Sequence, residues 1–285
     1  MDYGTSLLRS VLYIPASKPR ALDKARSLNT DAIIFDLEDA VAPDEKVGAR
    51  ATLSDELATG GSDGKLRLVR VNALDSEWGR DDLAAASQME TDAVLLPKVN
   101  GAADIDAATR HTDLPIWCMI ETPLGVLNAT EIGAHENVAG FVLGTNDLVK
   151  DMRCATSDRA VLQTALQMVL LAARATGVAC IDGVFNSFRD TDGLRDECLE
   201  GRALGMDGKS LIHPVQIDVA NAVFAPTQDE IALATRQIEA HETSIAKGEA
   251  VAVVDGRIVE ALHIETARAT LARAQMIEER ATFSS

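Results

Sequence analysis

Eight short apolar runs punctuate this chain: VLYIP (residues 11–15), AIIFD (32–36), LRLVR (66–70), AVLLPK (93–98), IWCMIE (116–121), GFVLG (140–144), VACID (178–182) and GKSLIHP (208–214). They are rich in Val, Ile and Leu, the composition of strands buried on both faces. Most stop at a polar or charged residue. Segments with helical spacing lie between them. The stretch 19–27 opens on Pro19, where a missing N–H costs nothing. The stretch 44–58 carries Val47, Ala51 and Leu57 among charges. The strongest helical signal is DRAVLQTALQMVLLAARA (158–175), which is Ala- and Leu-rich without Gly or Pro. Another helix is expected over 191–204, ending before Gly205.

Strand alternating with helix implies a parallel sheet. Eight such units within about 215 residues fit a closed (β/α)8 TIM barrel better than an open sheet. The rhythm breaks after Pro226. There a long helix is expected over 228–247, then a small hairpin (250–254 and 257–259) turning at Asp255-Gly256, then a last helix over 264–279. The expected organisation is therefore an α/β barrel domain at 8–225 and a C-terminal helical extension at 226–285. The extension is not needed to close the barrel, so it is expected to pack on the barrel mouth or on another subunit.

Composition removes several classes. The chain has 285 residues, 47% hydrophobic and 25% charged, ordinary values for a globular protein. No apolar run is long enough to cross a bilayer. The start, MDYGTSLLRS, lacks a basic region followed by a long apolar core. No membrane association and a cytoplasmic location are expected. The formal net charge of −17, from 44 acidic and 27 basic residues, argues against nucleic acid as a partner. It leaves room for a phosphorylated small ligand, which needs only local cations. Cys118, Cys154, Cys180 and Cys198 form no C-x-x-C pair, which speaks against a zinc site or a disulfide framework. Cys118 and Cys180 fall inside expected strands, as small core residues do.

In a barrel of this kind catalytic groups project from the C-terminal ends of the strands. Here those ends carry Asp36, Glu38, Asp39, Arg70, Lys98, Glu121, Asn146, Asp147, Asp182 and His213. Two carboxylates from different strands at one mouth suit a hard divalent cation. Mg²⁺ takes one or two carboxylates and fills its other positions with water and substrate oxygens. Glu121 and Asp147 are the expected ligand pair, for Mg²⁺ or alternatively Mn²⁺. An isolated strand-end acid ordinarily caps the following helix; two of them beside Arg70 favour the metal. Arg70 presents a planar fork that matches a carboxylate. A substrate carboxylate next to a chelating carbonyl or hydroxyl would be held by Arg70 and the ion together. An ion pair between Arg70 and a Glu across the barrel mouth ranks lower, because several acids without a cation would repel one another. Glu38 or Asp39 is placed to orient a water, while Asp44 and Glu45 start a helix. Lys18 and Lys24 offer cations to phosphates, although two lysines on a surface helix are more often simply solvated. His213 either contacts ligand or closes a strand end.

The segments RSVLYIPAS, FDLEDAVAPDEK, VRVNALD, LPKV, MIETPLGVLNA, GTNDL and GMDGKSLIHPVQI–FAPT together resemble the HpcH/HpaI aldolase and citrate lyase β-subunit superfamily. The likeness is to its CitE-like branch of malyl-CoA lyases and (3S)-malyl-CoA thioesterases and runs from about Arg9 to Arg273. The resemblance implies a TIM barrel, Mg²⁺, and a CoA thioester of a 3-hydroxy diacid as substrate. By motif, it assigns the metal to Glu121 and Asp147 and the substrate carboxylate to Arg70, with Asn146 beside it in substrate binding. CoA-contacting positions fall on Tyr13, Lys18, Lys24 and the segment Ile212, His213, Pro214. Lys18 stands where an Arg is frequent. A homo-oligomer, trimer or hexamer, is implied.

One departure bears on the reaction. Lyases of this family usually carry G-[KR]-[ML]-[IV]-D near the C-terminus, with the Asp implied to act as acid/base in a neighbouring subunit's site. Here the segment reads GRIVEAL, so the position is Glu260. One extra methylene displaces the carboxylate by roughly 1 Å, and misplacement on that scale can cost about a hundredfold in rate. Carbon–carbon cleavage needs a proton delivered to carbon and should suffer. Thioester hydrolysis needs an activated water and a polarised carbonyl. The expected reaction is hydrolysis of (S)-malyl-CoA to (S)-malate and CoA, with Glu38, Asp39 or Glu260 as general base. Cleavage of (S)-malyl-CoA or β-methylmalyl-CoA to glyoxylate and acetyl- or propionyl-CoA is the alternative reaction. A citrate lyase β-like role within a complex is the alternative class.

Overall fold

The computed structural model describes residues 7–59, 64–156, 158–247 and 251–283. The chain divides into two compact units, Met1–Phe224 and Ala225–Ser285. The first is a closed barrel of eight parallel strands: β1 (Ser10–Pro15), β2 (Ala32–Asp36), β3 (Leu66–Arg70), β4 (Ala93–Leu96), β5 (Ile116–Ile120), β6 (Val138–Leu143), β7 (Ala179–Asp182) and β8 (Gly208–Leu211). Ser10, Val11 and Leu12 pair with Lys209, Ser210 and Leu211 to close it. The expected (β/α)8 fold is therefore present.

The strand residues divide by twos, as pleating requires. One set fills the barrel: Val11, Ala32 and Ile34, Leu68, Ala93 and Leu95, Trp117 and Met119, Val142, Ala179 and Ile181. The alternate set, including Leu12, Ile33, Val69, Val94, Cys118, Phe141 and Cys180, packs outward with the helices. Facing strands β5 and β6 match large against small. A Cβ on Gly140 would lie 2.6 Å from the Trp117 ring, so the indole occupies the space glycine vacates.

Around the barrel run α1 (Pro19–Arg26), α2 (Lys46–Ala58), α3 (Gly79–Ala86), α4 (Ala102–Ala108), α5 (Pro123–Leu127), α6 (Ala129–Gly133), α7 (Thr145–Asp151), α8 (Gln163–Thr176), α9 (Thr191–Leu204) and α10 (Ile217–Phe224). Gly205 ends α9 in the left-handed region at φ 106°. Two expected helices begin differently. A 3-10 turn, Pro43–Glu45, precedes α2, and another, Arg159–Leu162, precedes α8, its entry capped by the Asp158 side chain accepting from the Ala160 N–H. Two runs overshoot their strands by more than one residue. β4 ends at Leu96 because Pro97 has no N–H to give the ladder; β8 ends at Leu211, and Pro214–Gln216 form a 3-10 turn.

In the second unit, α11 (Gln228–Lys247) matches the expected span. The hairpin pairs β9 (Ala252–Val254) with β10 (Arg257–Val259). Asp255 and Gly256 turn with φ of 50° and 75°, the left-handed pair of a type I′ turn. Ala250, expected in the first of these strands, lies outside the described residues. Ala252, Val259 and Ile264 make a small core. The last helix, α12 (Ala261–Phe283), is longer than the expected 264–279. No Gly or Pro interrupts those residues, so nothing local stops the helix.

Candidate active site

The inward-facing series reach the C-terminal rim as polar residues: Asp36 on β2, Arg70 on β3, Glu121 just past β5. They share a cleft of about 340 Å³ with Tyr13 and Met119 below and Asn146 and Asp147 of α7 beside them. Asp39 and Ile212 also line it. Of the expected site residues, the barrel thus brings Tyr13, Asp39, Arg70, Glu121, Asn146, Asp147 and Ile212 together.

Arg70 is buried and surrounded by acids. Its Nε donates to Asp36 Oδ1 at 2.7 Å and its Nη2 to Asp36 Oδ2 at 2.6 Å. Its Nη1 lies 3.1 Å from Glu38 Oε2 and 3.6 Å from Asp39 Oδ2. The guanidinium stacks over the Tyr13 ring, 4.9 Å from its centre. The low rank given to an Arg70–Glu ion pair is corrected by Glu38, and the pairing with Asp36 was not foreseen. The bidentate edge of the fork is engaged by Asp36, which sits directly opposite Arg70 in the β2–β3 register. One cation among three acids answers the repulsion argument by joining them.

Glu121 is held from the backbone. Its Oε1 accepts from the Lys98 N–H at 2.7 Å. Among the described residues no hydrogen bond engages Oε2, and the Asp147 carboxylate has no hydrogen bond or ion pair. Burial drives the Glu121 pKa up from 4.5 to about 7, opposed by the Lys98 N–H and reinforced by Glu38 and Asp147. Lys98 itself adopts φ 53°, a left-handed backbone that is uncommon for a residue with a side chain. That conformation lets one residue serve two acids, because its Nζ donates to Glu38 Oε1 at 2.6 Å. Burial also raises the Glu38 pKa, with Arg70 and Lys98 pulling the other way.

A glycine makes the seat of Glu121. A Cβ at Gly144 would lie 2.3 Å from Glu121 Cβ and 2.4 Å from its Oε2. Gly144→Ala must push the carboxylate out of place. We expect it to lower activity about a hundredfold or more while the melting temperature falls by only a few degrees. Activity within threefold of wild type would show that the seat is not needed.

Asn146 is exposed and exchanges amide hydrogen bonds with Asn186, at 3.3 and 2.8 Å. Lys18 and Lys24 stand on exposed positions of α1 and its entry, outside the cleft; Lys18 lies 3.7 Å from Glu45. His213 Nδ1 accepts from the Val215 N–H at 3.2 Å, and the ring stacks on Phe188 with centres 4.7 Å apart. It closes the strand end, with Pro214 opening the 3-10 turn. Asp182 is not at the mouth. It is wholly buried against the fully buried Lys209 (2.9 Å), and Arg159 lies 3.0 Å from it. This pairing, completed by Glu197, is a structural strut on the β7–β8 side. Glu260 belongs to the second unit, exposed at the start of α12, where its N–H donates to His263 Nδ1 at 2.9 Å. Asp36 and Lys98 stood among the strand-end residues without a site role. Counting by twos back from Arg70 and Asp36 would have placed both inside the barrel. No sequence signal marks the backbone geometry of Lys98.

Fold and rim together define a (β/α)8-barrel enzyme with an acidic, arginine-bearing mouth. The chain belongs to the HpcH/HpaI aldolase/citrate lyase family, which matches residues 9–214. It is 56% identical over 279 residues to a (3S)-malyl-CoA thioesterase of Cereibacter sphaeroides, covering 97% of this chain and 98% of that one. It is 36% identical to the citrate lyase subunit beta of Escherichia coli, covering 95% of each. Among solved structures it resembles CitE of Mycobacterium tuberculosis in complex with magnesium, acetoacetate and coenzyme A, with a TM-score of 0.79 and 29% identity over 93% of this chain and 97% of that one.

Proposed function

We propose that the protein is an Mg²⁺-dependent thioesterase that hydrolyses (S)-malyl-CoA to (S)-malate and CoA. The observation that carries this reading is the 56% identity, across nearly the whole chain, to a (3S)-malyl-CoA thioesterase. The donor set fits the ion. Glu121 Oε2 and Asp147 offer two carboxylates with no other bond to break. No group of three or more His, Cys, Asp or Glu able to hold a metal occurs among the described residues. Two carboxylates with water and substrate oxygens are what Mg²⁺ prefers. Once bound, the ion supplies Lewis-acid polarisation of the substrate oxygens it meets.

The protein's own groups do the rest. Arg70 Nη1 faces the substrate carboxylate, since Asp36 occupies the other edge of the fork. Glu38, Asp39 or Glu260 accepts the proton of the attacking water. The water oxygen bonds to the thioester carbon, the C–S bond breaks, and the proton passes to the departing sulfur. Ile212, His213 and Pro214 border the CoA chain, with Lys18 and Lys24 toward its phosphates. The second unit is read as an interface with another copy in a trimer or hexamer. Its hairpin exposes the cross-strand pair Val253 and Ile258, at 59% and 60%. That contact would carry Glu260 toward a neighbour's site.

The test is to give the purified protein (S)-malyl-CoA and Mg²⁺ and follow free thiol and glyoxylate separately. Thiol and malate without glyoxylate are expected. Glyoxylate with acetyl-CoA would make it a lyase. No reaction with malyl-CoA or β-methylmalyl-CoA would point to a subunit role like that of citrate lyase β.

A further inference from the structure

The floor of the cleft holds two hydrogen-bond donors aimed at one poor acceptor. Arg70 Nη1 approaches the Met119 thioether at 3.5 Å, and the Tyr13 hydroxyl approaches the same sulfur at 3.7 Å. A thioether is among the weakest acceptors in a protein. Arg70 Nη1 also faces Glu38 Oε2 at 3.1 Å, but among the described residues the Tyr13 hydroxyl donates only to this sulfur and so keeps most of its hydrogen-bonding capacity in reserve. The Tyr13 phenol is protonated throughout the working range, because burial pushes its pKa well above the usual tyrosine value, with Asp36, Glu121 and Glu38 adding to the rise and Arg70 opposing it. It is therefore a donor and carries no charge of its own.

Arg70 alone is poorly equipped to hold a carboxylate. Its Nε–Nη2 edge is committed to Asp36, and its charge is shared among Asp36, Glu38 and Asp39. A carboxylate entering beside those acids needs a second donor that does not depend on the shared charge. The stacking of Arg70 on the Tyr13 ring fixes the two groups relative to each other. We propose that Tyr13 is a specificity-determining residue whose hydroxyl, with Arg70 Nη1, reads the free carboxylate of the substrate. This inference rests on the malyl-CoA reading and gives the cleft its selectivity for an acyl chain ending in an acid. A site built to hydrogen-bond a group discriminates against acyl chains lacking it, since its buried donors are then left unpaired.

Tyr13→Phe tests the role, because the ring and its stacking on Arg70 remain and only the hydroxyl goes. The expected result with (S)-malyl-CoA is a KM raised about tenfold with kcat within twofold of wild type. Product inhibition by (S)-malate should weaken by the same factor, while the Mg²⁺ concentration for half-activation stays put. An unchanged KM and an unchanged malate inhibition constant would overturn the proposal, as would a fall in kcat alone. Should the variant fold poorly, 3-fluorotyrosine labelling of a Tyr3→Phe protein leaves Tyr13 as the one reporter, since the sequence has two tyrosines. Its fluorine resonance should shift with Mg²⁺ plus (S)-malate and not with Mg²⁺ alone; no shift with malate overturns the role. A wild-type protein that does not hydrolyse malyl-CoA sinks the functional reading. An active wild type with an indifferent Tyr13→Phe sinks only the inference.

Discussion

Glu121→Gln is expected to lower kcat/KM at least about 1,000-fold, a loss of roughly 4 kcal/mol of transition-state stabilisation, and at the same time to stabilise the metal-free protein. Both effects come from one carboxylate. Its Oε2 has no partner among the described residues, so the substitution removes a ligand without breaking an internal ion pair. The stability effect follows from linkage. Folding raises the Glu121 pKa from 4.5 to about 7, so the folded state prefers the neutral acid. Below pH 4.5 both folded and unfolded carboxyls are protonated and there is no penalty. As pH rises toward about 7, the unfolded chain ionises freely while the folded one resists, and stability falls. Above that the penalty is complete, on the order of 3 kcal/mol. In chelator-containing buffer the variant should therefore melt with wild type near pH 4 and several degrees above it at pH 8. Added Mg²⁺ should stabilise wild type and not the variant. A variant that retains activity, or a melting difference independent of pH, would remove Glu121 from the site.

Arg70→Met should be the most destabilising single change in the cleft. It leaves Asp36, Glu38 and Asp39 clustered without their common cation. Removing one partner of a buried charge group costs about 3–5 kcal/mol, which in a chain of this size lowers the melting temperature by about 10 °C. Arg70→Lys keeps the charge but cannot span both oxygens of Asp36 while also pointing a donor into the cleft. That variant should fold yet lose about a hundredfold in kcat/KM. Thermal melting of the first and kinetics of the second check the argument. A Met variant melting within 2 °C or so of wild type would mean that the three acids do not depend on Arg70.

The barrel was legible because its strands are apolar on both faces and end at chemistry. The rhythm from Val11 to Pro214 locates every strand, with ends differing by a few residues where Pro97 or a 3-10 turn intervenes. The cleft residues Arg70, Glu121, Asn146 and Asp147 were legible for the same reason. What escaped was direction. Asp182 ends an apolar run as Asp36 does, but it points outward to Lys209 and Arg159 rather than into the cleft. Its partners lie on the neighbouring strand β8 and in the 3-10 turn before α8, and the sequence does not show that these come together outside the barrel. Asp36 was underrated because its partner is fixed by strand register, which emerges only when β2 and β3 are aligned. The seat at Gly144 and the left-handed Lys98 are backbone properties that a string of residue types does not display.

The direct pairing of Asp36 with Arg70 across β2 and β3 also bears on how such an enzyme can change. Their spacing is fixed by the hydrogen-bond ladder, the stiffest part of the fold, and not by any connecting loop. Glu121 likewise follows a strand directly. Segments after β1 and β8 can then be exchanged, as in a tool holder that keeps its jaw while the bit is replaced, whereas the segment after β6 carries Gly144 and Asp147 and stays. Libraries seeking new acyl groups should be built in those loops, with the paired strands left alone.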